Sequence, residues 1–238
     1  MSEKKIEFKV GKDTLRGILF VPSGKGPFPA VILFHGNGGK GASTFEAASK
    51  FPQEGIMSLA FNFRGCGISD GDYSIQTHKN AMEDAGAAFE FFLKQNVDVN
   101  KIGAVGGSFG GYLACMLLPK LNIKSLVLRA PSACVHGPKD RLDIGDLQHE
   151  VDYFKNRGNW VNSQSYINIA GFKGPILVVK SENDENVPGQ VVDLYFDGAI
   201  NSAKRQMEVI KDADHRLTEQ KWRDEFFKLI LDWFSETL

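Results

Sequence analysis

The chain is poor in cysteine. Cys66, Cys115 and Cys134 are odd in number, widely separated and outside any C-x-x-C spacing, which argues against a disulfide framework or a zinc site. It also lacks an apolar run approaching the length of a bilayer span, and its opening, MSEKKIEFKVGKDTL, carries charges where an exported protein has its apolar h-region. A soluble protein retained in the cytoplasm, with no membrane span, is the expectation. Neither charge dominates: 28 Lys and Arg stand against 29 Asp and Glu, and no basic run is long enough to track phosphates, so nucleic acid is a poor partner. The glycine clusters do not contain the phosphate-cradling order G-x-x-x-x-G-K-[ST], and HGNGGKG resembles a phosphate cradle only superficially.

What the 238 residues do contain is a core's worth of hydrophobic residues (42%) and 25 glycines against only 9 prolines, the composition of one domain. Residues 6–10 and 15–22 read as two strands joined by the turn-former GKDT. Short apolar runs follow at 30–36, 56–63, 101–107, 125–131, 175–181 and 205–211, which suit strands covered on both faces. Between and after them HKNAMEDAGAAFEFFLKQN, FGGYLACMLLPKL and WRDEFFKLILDWFSETL have helical apolar spacing. An opening hairpin and then alternating strands and helices predict a mainly parallel eight-stranded α/β sheet with helices on both faces. One connection is too long for an ordinary loop, from Ser132 to Lys173. It reads as a small insertion after the sixth strand, at the sheet edge where α/β proteins bind ligands.

Gly106-Gly107-Ser108-Phe109-Gly110 matches G-x-S-x-G, a strand–turn–helix elbow that lifts a serine oxygen above the sheet. A neutral hydroxyl is a weak nucleophile and needs a base, which in turn needs an orienting acid. Of the five histidines, His215 lies after the last strand-like run and is the candidate base; His35 also ends a strand and is its rival. His78 reads as a surface or capping residue before a helix, and His136 and His149 fall in the insertion. The acid comes from SENDENVP, where Asp184 is preferred and Glu182 is the alternative. HGNGGKG, after the third strand, reads as the other half of an oxyanion hole, with backbone N–H groups of Asn37 and Phe109 as donors.

With HGNGG, FNFRGCGISDG, GGSFG, SENDENVP and DADH in this order, the chain resembles the α/β-hydrolase superfamily. Within it the chain resembles small single-domain acyl esterases of the feruloyl and cinnamoyl type and serine aminopeptidase-like hydrolases. The resemblance implies a serine acyl-transfer enzyme with no cofactor and no metal. Lys180-Ser181 stands where such proteins often carry His-Gly, and the insertion has no recognisable substrate motif.

The expected activity is therefore hydrolysis of small-molecule carboxylic esters by Ser108, His215 and Asp184. Tyr153, Trp160 and Tyr166, with Phe154 and Phe172, are candidates for an apolar acyl or aromatic wall, at least half of them serving as the insertion's own core. A peptidase or amidase would use the same residues and require carboxylates for an ammonium group, for which Glu150 and Asp152 are the candidates. A ligand-binding protein on the same fold and a cofactor-free perhydrolase stay open. The loop RGCGISDG, with Arg64, Cys66, Ser69 and Asp70, reads as a glycine turn closed by local Ser and Asp hydrogen bonds rather than a pocket rim.

Overall fold

The computed structural model describes residues 1–39, 41–135 and 152–238. Eight strands form one sheet: β1 (Ser2–Val10), β2 (Asp13–Val21), β3 (Phe28–Phe34), β4 (Met57–Phe61), β5 (Val97–Gly107), β6 (Ser125–Arg129), β7 (Ile176–Ser181) and β8 (Arg205–Ile210). Their spatial order is β1-β2-β4-β3-β5-β6-β7-β8. β1–β2 and β2–β4 pair antiparallel, and every later pair is parallel. The hairpin closes through Gly11-Lys12, with Gly11 at φ 58°, in the left-handed region where glycine carries no Cβ penalty.

Burial tracks position in the sheet. β4 is buried at every residue, while β1 is exposed from Ser2 to Lys5 and alternates half-buried and exposed from Ile6 to Val10. Its Lys and Glu side chains guard the open edge, and Phe8 turns inward onto Phe61 and Phe91.

The helices with both ends among the described residues are α1 (Ala42–Ala48), α2 (His78–Leu93), α3 (Phe109–Leu117), α4 (Gln164–Ala170), α5 (Gly189–Gly198) and α6 (Gln220–Thr237). They cover both faces. On one, α2 presents Ala81, Ala85 and Ala88, small enough for close approach to the strands, and packs with α3, α4 and α5. On the other, α6 buries Trp222, Phe226, Phe227, Ile230, Trp233 and Phe234 with α1, each worth about 1.5–3 kcal/mol relative to exposure. The indole N–H of Trp233 finds the Ser125 hydroxyl at 3.0 Å, so burial leaves that donor satisfied.

All eight expected strands are present, with shifted ends. The run 30–36 yields a strand that stops at Phe34, releasing His35, and 56–63 yields one that stops at Phe61. The three helices read from periodicity are joined by α1, α4 and α5, which are too short to show a decisive period. His78 is a correction. Thr77 is the residue that caps α2, accepting the Asn80 N–H at 3.1 Å, and His78 itself is buried between the rings of Phe109 and Tyr112.

The loop after β4 is tied further afield than expected. The Ser69 hydroxyl donates to Asn62 but accepts from the Arg16 N–H, and Asp70 takes the Thr14 N–H and the Arg16 guanidinium at 2.6 Å, so β2 holds the loop. Arg64 turns to the buried Asp84 of α2 at 2.6 Å. Burial raises the Asp84 carboxyl to about 6, partly opposed by Arg64. Cys66 is buried too, its thiol pushed up to about 11 by burial and by the Asp84 charge.

Candidate active site

β5 passes into α3 through a single residue. Ser108 makes the reversal with φ 52° and ψ −121°, a conformation that costs a residue with a Cβ about 1–3 kcal/mol. The flanking glycines make it possible. A Cβ on Gly106 would sit 2.5 Å from the Gly110 carbonyl oxygen, and one on Gly110 would overlap the Phe34 carbonyl. Two further bonds pin the turn: Ser108 N–H donates to the Arg129 carbonyl (2.9 Å), and Ser108 C=O accepts from Ser132 N–H (3.1 Å).

Above the elbow, the Ser108 Oγ lies 3.0 Å from His215 Nε2, and His215 Nδ1 lies 2.8 Å from Asp184 Oδ2. Asp184 is itself immobilised, because its Oδ1 accepts the backbone N–H groups of Asn186 (3.0 Å) and Val187 (2.8 Å). A carboxylate so held needs the Nδ1–H tautomer of His215, which leaves Nε2 as an acceptor toward Ser108. Each member follows a strand: Ser108 ends β5, Asp184 follows β7 and His215 follows β8, so the parallel sheet delivers all three to one edge.

The rivals are engaged elsewhere. Glu182 accepts the Asp212 N–H at 2.8 Å, in the turn where Asp212 takes a φ of 57°. His35 is buried, with Nδ1 2.7 Å from the Gly36 carbonyl and Nε2 accepting the Phe63 N–H at 3.3 Å. Burial lowers it to about 4, partly offset by the Gly36 bond, so it is a neutral strut at the start of the glycine loop.

That loop passes directly beside the serine, since a Cβ on Gly36 would lie only 3.5 Å from Ser108 Cβ. Asn37 lines the same cleft as Ser108 and His215, and its side-chain oxygen accepts from the Tyr73 hydroxyl. Phe109 is the first residue of α3, where a backbone N–H has no carbonyl of its own helix to bond.

The cleft has a volume of about 640 Å³ and runs between the glycine loop with α1 on one side and the loop Asn186, His215–Thr218 on the other. Tyr153, Trp160 and Tyr166 are not among its lining residues. The Trp160 indole donates to the Phe154 carbonyl and Tyr153 to the Asn159 carbonyl, both within the insertion, and Tyr166 donates to the Val191 carbonyl of α5. Asp152 pairs with Lys155 at 2.6 Å; Glu150, His136 and His149 lie outside the described residues. Lys180, at the position noted as a departure, ion-pairs with Asp193 of α5 at 2.7 Å.

Sequence reasoning missed three residues here: Tyr73, which holds Asn37; Asn186; and Arg129, at the end of β6. Arg129 Nη1 donates to the His215 carbonyl at 2.5 Å. Burial draws its pKa below the usual value, while the charges of Asp184 and Asp214 act the other way. Among the described residues no group of three or more His, Cys, Asp or Glu is placed to hold a metal ion, and no helix is long and apolar enough to cross a membrane.

The 1-2-4-3-5-6-7-8 sheet with helices on both faces agrees with what comparison with known proteins returns. The family model of the alpha/beta hydrolase fold covers residues 29–156. The chain belongs to that family. Its relatives include esterase EstD of Thermotoga maritima, 26% identical over 163 residues, covering 65% of this chain and 38% of that one. An uncharacterized protein of Mycobacterium tuberculosis is 30% identical over 183 residues, covering 73% of this chain and 59% of its own length. The chain thus spans less than two thirds of the length of these relatives. Among solved structures, Est1E of Butyrivibrio proteoclasticus with ferulic acid bound superposes over 98% of both chains with a TM-score of 0.77 at 17% identity, a likeness of fold.

Proposed function

We propose that this α/β-hydrolase is a serine hydrolase cleaving carboxylic esters of small acyl or aromatic acids through an acyl-enzyme. The observation that carries the reading is the unbroken hydrogen-bond chain from Ser108 Oγ through His215 to Asp184, on an elbow whose glycines clear the backbone opposite. In this reading Ser108 Oγ attacks the acyl carbon as His215 Nε2 takes its proton. His215 then returns that proton to the leaving alcohol, and the same base activates the water that releases the acid. Asp184 keeps the tautomer and stabilises the imidazolium without taking the proton. Backbone N–H groups of Phe109 and Asn37 hold the oxyanion, each worth on the order of 10²–10³ in rate.

Support comes also from the sequence similarity to esterase EstD and from the fold shared with the ferulic acid complex of Est1E. The test is hydrolysis of p-nitrophenyl esters from acetate to laurate, with a hydroxycinnamate ester and an aminoacyl amide alongside, by wild type and Ser108→Ala. Ester turnover that vanishes in Ser108→Ala is the expected result. Turnover that survives the substitution, or a wild type that neither hydrolyses an ester nor reacts with a fluorophosphonate, overturns the proposal.

A further inference from the structure

The charge lining the cleft is at odds with the neutrality of the chain. Three arginines, Arg129, Arg216 and Arg223, face one acid, Glu46. Among the described residues, of the three only Arg223 has a carboxylate in contact: its Nε lies 3.5 Å from Glu46 and its other nitrogens bond the Leu217 and Thr218 carbonyls and Gln220. Arg129 and Arg216 have no carboxylate within ion-pair distance among the described residues. The charges of Asp184 and Asp214 reach Arg129 from beyond contact distance, while their oxygens are occupied by other donors. Asp184 is held by His215, Asn186 and Val187, and Asp214 takes the N–H groups of Arg216 and Thr218 and the Thr218 hydroxyl.

Beside the cleft lies a recess of about 80 Å³ that shares Gly36, Ser43, Thr44, Arg129 and Arg216 with it. Its inner wall is apolar, formed by Leu33, Phe34, Val105, Leu217 and Phe226, and its only charged lining residues are the two arginines. Gly107 contributes to it, and a Cβ there would lie 3.5 Å from Nε and Nη2 of Arg129, the nitrogens not used on His215. Two unpaired guanidinium groups beside hydroxyls, in a space a few water molecules in size, fit a small oxyanion. An arginine retains its charge in such a place, and its planar fork matches two oxygens.

We propose that Arg129 and Arg216 form a carboxylate subsite, and that the preferred substrate is an ester bearing a free carboxylate on the part lying toward α1. The proposal rests on the serine-hydrolase reading for the ester half of the molecule. The recess opens next to Ser108 through Gly36 and Gly107, so the carboxylate and the scissile carbonyl belong to one short substrate rather than to two ligands. A carboxylate that bridges the arginines also draws Arg129 against the His215 loop, which couples substrate binding to the position of the base.

The experiment uses monoethyl and diethyl glutarate, with the succinate and adipate pairs bracketing chain length. Calorimetric binding to Ser108→Ala at low salt should favour the best monoester over its diester by about tenfold, the usual yield of a charge-assisted contact. The ratio should fall several-fold in Arg216→Gln and in Arg129→Lys on the same background, and should shrink as salt screens the exposed Arg216. Arg216 is exposed, so its variant is informative even if substitution at Arg129 loosens the His215 loop. Equal or tighter binding of the diester in all three pairs, or a ratio unmoved by both substitutions, overturns the subsite. Hydrolysis of the same esters by the unaltered chain separates the two ideas. Turnover without preference for the monoester sinks the subsite and keeps the serine hydrolase, whereas preferential binding without turnover does the reverse.

Discussion

Asp184→Asn is nearly isosteric, yet the structure dictates how the new amide must sit. The Oδ1 position is bracketed by the N–H groups of Asn186 at 3.0 Å and Val187 at 2.8 Å, two donors that accept only an oxygen opposite them. The amide NH₂ is therefore forced to the Oδ2 position, 2.8 Å from His215 Nδ1. Two donors cannot share that contact, so the ring takes the Nε2–H tautomer and points a proton at Ser108, 3.0 Å away, where a lone pair is needed. Fold and packing are retained; the base is not. The expected loss is about 10⁴ in kcat, about 5 kcal/mol of barrier, with the melting temperature lowered by only a few degrees. The assay is p-nitrophenyl butyrate hydrolysis beside thermal unfolding, with Glu182→Gln as the control. Its hydrogen bond to Asp212 is a turn contact, so Glu182→Gln should cost at most about 1.5 kcal/mol of stability and little rate. An Asp184→Asn variant within tenfold of wild type, or a Glu182→Gln variant as damaged as Asp184→Asn, would refute the reasoning.

Gly110→Ala drives a methyl into the Phe34 carbonyl and should cost at least 1–3 kcal/mol by denaturant unfolding, roughly the cost of overpacking, while Gly107→Ala, whose nearest neighbours lie at 3.5 Å, should unfold within about 1 kcal/mol of wild type. His35 makes stability depend on pH. Its folded value of about 4 lies below the ordinary 6.5, so between these values the unfolded chain binds the extra proton, and stability is lost as pH falls, by about 3 kcal/mol in all. Asp84, raised to about 6, has the opposite slope from 3.8 to 6, so the comparison that isolates His35 is wild type against His35→Asn, in which the acid-side loss should be smaller; parallel curves would count against it. Ser125→Ala strips the Trp233 N–H and the Thr237 hydroxyl of a partner under α6 and should cost about 1–3 kcal/mol in the same unfolding assay, an unchanged midpoint being the contrary result.

The elements legible from sequence are those whose cause is local. Buried parallel strands announce themselves as apolar runs, and the residues that follow them reach the sheet edge by geometry, which is why Ser108, Asp184 and His215 stand out in a plain text of letters. Gly106 and Gly110 mark the elbow because only glycine clears the backbone opposite. Other features depend on partners remote in the chain. Nothing around Asp70 names Thr14 and Arg16 as its partners, nothing around Tyr73 points to Asn37, and Arg129 closes an ordinary strand. His78 looked like a helix-start polar residue because helix starts are usually exposed; here α3 covers this one. The aromatics of the insertion carried no sign of their hydrogen-bond partners, which are carbonyls six to twenty-five residues away.

The span of the Ser108–His215 contact has a consequence for assembly. It joins positions 107 residues apart, and the Asp184–His215 contact joins positions 31 apart, whereas the elbow is complete once β5, α3 and β6 have met. Long-range parallel pairing forms slowly, because chain closure must precede the contacts that reward it. The elbow can therefore stand without its base in any chain whose β8 has not docked. A chain caught part-way, or one whose last strand has peeled away, presents a strained but unactivated serine. Reactivity at Ser108 becomes a readout of the final docking event, which the spectroscopic signal of the helices alone would register too early.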